Sequence, residues 1–227
     1  MTKAFPSVLV TGFQPFGGQT VNPSWLAVSR LPEEIGHAPI HRAELPVKWF
    51  AVLDCLEALA EQYRPDILLL TGQAGGRDAL CLERVGINLC EAKGADNDGL
   101  VLQDTPIFPE GPAAYFSNLP YRKMKEALDE LKIPNRYSFS AGAYLCNHVL
   151  YGALHLGATR FPEMKSLFLH VPYLPEQAEK LAKAQEEDAG GERSGPVSPS
   201  MPLETIVKGV EAVLAAAIAQ WREEHLL

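Results

Sequence analysis

From Ser7 to His170, apolar runs of a few residues alternate with stretches whose apolar residues recur every three or four positions. A strand period followed by a helix period, repeated along one chain, points to an α/β domain with a mostly parallel sheet, because parallel neighbours need crossover connections. Strands are expected at 7–10 (SVLV), 41–45 (HRAEL), 66–70 (DILLL), 84–89 (RVGINL), 136–140 (RYSFS) and 166–170 (SLFLH). Helices are expected after Asn22-Pro23-Ser24 and over 47–62, 121–131 and 144–156. A last helix is marked by Leu203, Ile206, Val207, Val210, Val213, Leu214, Ala217, Ile218 and Trp221, whose spacing makes one broad apolar face for the sheet.

At 227 residues, 47% of them hydrophobic, the chain has material for one sizeable core, and a single domain over 1–227 is expected. Within it, 185–200 (QEEDAGGERSGPVSPS) is charged and rich in Gly, Ser and Pro, and reads as a mobile surface loop. The Gly- and Pro-rich stretch 94–118 reads as a long structured connection near a site. No internal repeat interrupts this pattern.

Net charge is −8 and no run of Lys or Arg forms a stripe, which argues against nucleic acid and anionic membranes as partners. The first apolar run, inside MTKAFPSVLVTGFQPFGG, is too short for a signal-peptide core or a membrane span, so a cytoplasmic protein is expected. Cys55, Cys81, Cys90 and Cys146 include no CxxC pair and read as free thiols.

Two Gly-rich turns suggest nucleotide binding and fail on chemistry. In GFQPFGGQ (12–19) Gly18 stands where a phosphate loop needs its lysine, and TGQAGG (71–76) lacks the glycine spacing of a dinucleotide site. Tight turns, or the rim of a neutral small-molecule pocket at the carboxyl ends of the strands, are the two readings left.

The segment SFSAGAYLCNHVLYG (138–152) places Cys146 in the first turn of a helix that follows a strand. Buried filler is the ordinary role of a lone Cys. A helix N-terminus, however, favours thiolate, with thiol pKa values of roughly 3.5–7.5 at such places, and offers free N–H groups to an oxyanion. His148 is near in sequence, but residues two apart on a helix lie about 200° apart, so its ring is expected to face away from the sulfur. His170 ends the strand SLFLH and should emerge at the same sheet edge as Cys146. Glu83, among apolar neighbours, is a candidate to orient that imidazole, or else a structural partner of Arg84 or Arg77. Zinc is not expected, since no second Cys or His pair stands at ligand spacing.

Four blocks, VLVTGFQPFGGQTVNPSW (8–25), PDILLLTGQAGGRDALCLERVGINL (65–89), SAGAYLCNHVLYG (140–152) and FLHVPYLPEQ (168–177), resemble the pyroglutamyl-peptidase I family of cysteine exopeptidases. The resemblance runs in unbroken order from the first strand to the final helix. It implies a single-domain three-layer α/β/α sandwich of the phosphorylase/hydrolase-like kind, without cofactor or metal, and a triad falling on Glu83, Cys146 and His170. It further implies that Phe13 and Phe16 sandwich a pyroglutamyl ring, that Leu145 closes the pocket, and that Gln73 meets the lactam N–H and C=O. Small pyroglutamyl peptides are the implied substrates, and a homo-oligomer, dimer or tetramer, the implied assembly. Arg84 is the expected helper of the oxyanion site. Gln14 stands where many relatives carry an acid, the loop over 178–200 is long for the family, and Cys81 and Cys90 are expected only to pack. On the same sandwich, a nucleoside phosphorylase-like enzyme or a non-catalytic binding module are the alternative readings.

Overall fold

The computed structural model describes residues 3–188 and 197–225. Its strands are β1 (Val8–Phe13), β2 (Glu34–Ile35), β3 (Ala38–Leu45), β4 (Ile67–Gln73), β5 (Leu80–Glu83), β6 (Val85–Ile87), β7 (Ala114–Phe116), β8 (Asn135–Ser138) and β9 (Lys165–Val171). Its helices are α1 (Pro23–Ser29), α2 (Trp49–Tyr63), α3 (Tyr121–Glu130), α4 (Leu145–Thr159), α5 (Pro175–Asp188) and α6 (Leu203–His225). Seven strands form one sheet in the order β2-β3-β1-β4-β9-β5-β8, and β6 and β7 form a separate ribbon. The central pairs β1·β3, β1·β4 and β4·β9 are parallel, as the alternation of elements requires, while β5 runs antiparallel to β9.

Successive residues of β1, β4 and β9 point to opposite faces, and both faces are apolar, which explains why these strands read as unbroken hydrophobic runs. Val8, Val10, Leu69, Leu167 and Leu169 pack on one side with Val210, Val213, Leu214 and Ile218 of α6, the broad face expected from the sequence. Leu9, Leu68, Leu70 and Phe168 pack on the other with Trp49, Val52 and Leu56 of α2 and Val149, Leu150 and Ala153 of α4. Each such side chain contributes about 1.5–3 kcal/mol on full burial, so the two layers clamp the sheet and hold its carboxyl edge in place.

Three local expectations are corrected. The run 84–89 is not one strand: β5 ends at Glu83, and the chain leaves the main sheet at Arg84, whose N–H bonds Ser138 O at 2.8 Å and whose C=O accepts from Ser117 N at 3.0 Å. The stretch 80–83 is itself a strand, buried throughout and therefore without alternation to reveal it. Thirdly, α5 occupies the ground assigned to a loop, with Pro175 as its first residue, where a missing N–H costs nothing. Of the loop expected at 185–200, residues 185–188 are helical, Ser200 bridges Tyr173, and 189–196 lie outside the described residues.

Candidate active site

Three segments converge at the carboxyl edge of β4 and β9. His170, one residue from the end of β9, is the register partner of Gly72 on β4 and of Cys81 on β5. Glu83, two residues beyond Cys81 and so on the same face of β5, sets its carboxylate against the ring, with His170 Nδ1 and Glu83 Oε1 2.7 Å apart. A carboxylate only accepts, so Nδ1 carries the proton and Nε2 is left as the acceptor. Both side chains are almost completely buried.

Cys146 is the second residue of α4, whose N-cap Tyr144 contributes no side-chain capping bond. Its sulfur lies on the same sheet face as His170. A Cβ built on Gly72 would stand 2.6 Å from Phe168 Cζ and 3.0 Å from Cys146 Sγ, and the rings of Phe168 and His170 are 4.7 Å apart. Glycine at 72 is thus what lets the sulfur and the Phe168 ring settle against β4. Among the described residues no hydrogen bond joins Sγ to the imidazole. Next door, the Asn147 amide holds α4 to the chain after Glu83, accepting from Ile87 N at 2.9 Å and donating to Ile87 O at 2.9 Å and Leu89 O at 3.1 Å.

Beside the sulfur is a narrow slot of about 60 Å³ lined by Phe13, Phe16, Asn22, Val47, Gln73, Tyr144, Leu145 and Cys146. Its aromatic wall is held by the start of α1. Asn22 Oδ1 accepts from Ser24 N at 3.1 Å and from Ser24 Oγ at 2.8 Å, while Ser24 Oγ accepts from Phe13 N at 3.0 Å. One Asn-Pro-Ser cap therefore ends β1 and starts α1 together. The two meet closely at Gly12, where a Cβ would lie 2.6 Å from Trp25 Cα, so the Gly-rich turn serves packing and the slot rather than phosphate. Gln73 Oε1 is already occupied by Gln177 Nε2 at 3.0 Å, so Nε2 is the side-chain polar atom that Gln73 has left to offer the slot it lines.

Electrostatics bear on the state of the nucleophile. Burial first, and then the charge of Glu83, push the Cys146 thiol up to about 12, against the smaller opposing effects of Arg77 and of its own backbone N–H. Desolvation and the Glu83 charge thus oppose the helix terminus and favour the thiol over the thiolate. Burial likewise lowers His170, in opposition to its bond with Glu83, so the imidazole is neutral and able to accept a proton.

The structure pairs Glu83 with His170 and sets Phe13, Phe16, Gln73 and Leu145 around the slot that Cys146 borders, with Gln73 Oε1 taken by Gln177 and so not free for the lactam N–H. It does not bring Arg84 to the sulfur: its guanidinium lies over the Tyr121 ring, 3.2 Å from the centroid, because the residue after Glu83 faces the other side of β5. The cation that acts on Cys146 is Arg77. His148 faces away as expected, with Nδ1 3.2 Å from Cys90 Sγ and its ring edge-on to Trp49, so Cys90 has a buried polar partner beyond plain packing. Asn22, Val47 and Tyr144 were not singled out from sequence. Asn22 had a signal, its place before Pro23-Ser24, whereas Val47 and Tyr144 reach the slot only by folding.

The comparisons place the chain among known proteins. The family model described as pyroglutamyl peptidase matches residues 6–220. A pyrrolidone-carboxylate peptidase of Thermococcus onnurineus is 43% identical, over 93% of this chain and 98% of that protein. One of Streptomyces coelicolor is 42% identical, over 96% and 95%. Among solved structures, pyroglutamyl peptidase I of Bacillus amyloliquefaciens superposes with a TM-score of 0.84 at 36% identity, over 94% of this chain and 97% of that one. A mutant pyrrolidone carboxyl peptidase of Pyrococcus furiosus superposes with a TM-score of 0.86 at 39% identity, over 95% and 99%. With family model, relatives and fold in agreement over nearly the whole length, this chain belongs to the pyroglutamyl peptidase family.

Proposed function

We propose that the protein is a pyroglutamyl-peptidase I, a cysteine exopeptidase that hydrolyses the amide bond after an N-terminal L-pyroglutamyl residue. The observation that carries this reading is the bonded Glu83–His170 pair on the same sheet face as the Cys146 sulfur, beside a slot without charged walls. A pyroglutamyl ring is a neutral lactam, and its faces suit Phe13 and Phe16. Its carbonyl suits the free donor of Gln73, and a substrate lacking that carbonyl would leave the donor unpaired, a stronger rejection than loss of a methylene.

The neutral thiol and neutral imidazole favour general-base attack over a preformed ion pair. His170 Nε2 takes the Sγ proton as the S–C bond forms at the pyroglutamyl carbonyl. Glu83 keeps Nδ1–H in place and stabilises the imidazolium so formed. The N–H of Cys146, at the uncapped start of α4, receives the oxyanion. The C–N bond then breaks, the leaving amine takes the proton from Nε2, and water activated by the same ring hydrolyses the thioester.

The enzyme works in the cytoplasm as a homo-oligomer. Four free thiols support the first reading, and the exposed rings of Phe50, Phe116 and Phe139, each about two-thirds open to solvent, support the second. Among the described residues no helix is long and apolar enough to cross a membrane.

The test is release of a chromophoric amine from its L-pyroglutamyl amide by the parent and by Cys146→Ala. The parent should turn over and the variant should lose about 10³-fold or more in kcat. Equal rates would remove the reading.

A further inference from the structure

Glu83 makes two side-chain bonds, and both fall on one oxygen. Oε1 accepts from His170 and, also at 2.7 Å, from Arg77 Nη1, while Oε2 is buried without a partner among the described residues. A carboxylate withdrawn from water requires a counter-charge, and a neutral imidazole is none. Arg77 enters from the turn after β4, partly buried, and its second fork nitrogen, Nη2, bonds Ser140 O at 3.1 Å. Ser140 belongs to the segment running from β8 to α4, six residues before the nucleophile. A single planar guanidinium therefore joins the carboxylate that orients His170 to the backbone that delivers Cys146.

The other charged and titratable groups around Glu83 do not duplicate this. Arg84 stacks on Tyr121 on the opposite face, and Arg136 of β8 pairs with Asp78. Cys81 of β5 hydrogen-bonds the Ala79 carbonyl, His170 stands on β9 and Cys146 on α4. We propose that Arg77 is a positioning residue of the reaction, holding the Glu83 carboxylate against His170 Nδ1 and fixing the turn that aims Cys146. This deepens the peptidase reading and rests on it.

The charge of Arg77 also lowers the proton affinity of both Cys146 and His170. The imidazole must be neutral to take the Sγ proton, so His170 sets the acid limb of the kcat/KM profile, and loss of the Arg77 charge moves that limb to higher pH. A role in folding alone would not shift that limb.

The experiment compares the parent, Arg77→Gln, Arg77→Lys, Glu83→Gln and the double variant Arg77→Gln/Glu83→Gln on an L-pyroglutamyl chromophoric amide across pH. Arg77→Gln should lose about tenfold or more in kcat with KM within about twofold and its acid limb shifted upward. Arg77→Lys, which keeps the charge and loses the fork, should hold the limb near the parent position and recover part of kcat. In the Glu83→Gln background, adding Arg77→Gln should cost much less than it does in the parent, since the arginine acts through that carboxylate. Parental kcat and profile in Arg77→Gln, or full additivity in the double variant, would overturn the proposal. If Arg77→Gln does not fold, the acid limb of Arg77→Lys decides, and an upward shift there overturns it. An inactive parent would count against the peptidase reading instead, and the His170 titration followed by NMR in parent and Arg77 variants would still judge Arg77, an unchanged titration overturning it.

Discussion

The least forgiving position near the site is Gly72. An alanine there would set its Cβ 2.6 Å from Phe168 Cζ and 3.0 Å from Cys146 Sγ. Carbon atoms pack best at about 3.5–4.0 Å, so the Phe168 ring must retreat by about 1 Å. It has little room, being fully buried with the Phe13 ring 6.5 Å away and the His170 ring 4.7 Å away. Overpacking of a core costs about 1–3 kcal/mol, and the enclosed ring argues for the upper half of that range. At about 2–4 °C per kcal/mol for a domain of this size, Tm should fall by about 4–12 °C in thermal unfolding followed by circular dichroism. The sulfur must yield as well, and displacement of a nucleophile by about an ångström can cost about 100-fold in kcat. KM for an L-pyroglutamyl amide should change much less, because the nearest neighbours of the added methyl are Phe168 and Cys146. Gly72→Ala with parental Tm and kcat would refute the placement of Cys146 against β4, and with it the reasoning that puts the sulfur and His170 on one face.

Two further outcomes are expected. Burial lowers His148 from its ordinary 6.5 to about 4, so it folds uncharged. Its contribution to stability is complete above pH 6.5 and is lost as pH falls toward 4, about 3 kcal/mol in all. His148→Gln, which retains hydrogen-bonding capacity without titrating, should flatten the stability–pH curve of urea unfolding over that window, and an equally steep curve would contradict the assignment. Phe16→Ala should raise KM for the pyroglutamyl amide about tenfold with kcat within about twofold, since the ring contacts ground state and transition state alike. A fall in kcat at unchanged KM would instead place Phe16 at the reacting atoms.

The sequence by itself determined the order of the elements, the apolar face of α6, and the placing of Cys146 at the start of a helix and of His170 at the carboxyl end of a strand. Those follow from local periodicity, from the hand-over of strand to helix, and from the rule that parallel strands present their carboxyl ends together. Even the outward turn of His148 was legible, because helix geometry alone separates i from i+2. The resemblance of four blocks to a known family supplied the roles of Phe13, Phe16, Gln73 and Leu145, which no periodicity could assign.

Only the tertiary structure decided the rest. Whether Glu83 met His170 or a structural arginine depended on the antiparallel placement of β5 against β9, and the outcome was both, with Arg77 in place of Arg84. The state of the Cys146 thiol was a contest between a helix terminus, visible in the sequence, and desolvation, which exists only once the sulfur is packed against β4 beside Phe168. Propensity and spacing act over a few residues, whereas burial and charge coupling also gather contributions from segments far apart in the chain, such as Glu83 and His170, 87 residues apart. For that reason the parts of the site could be read from the chain, and their electrostatic balance could not.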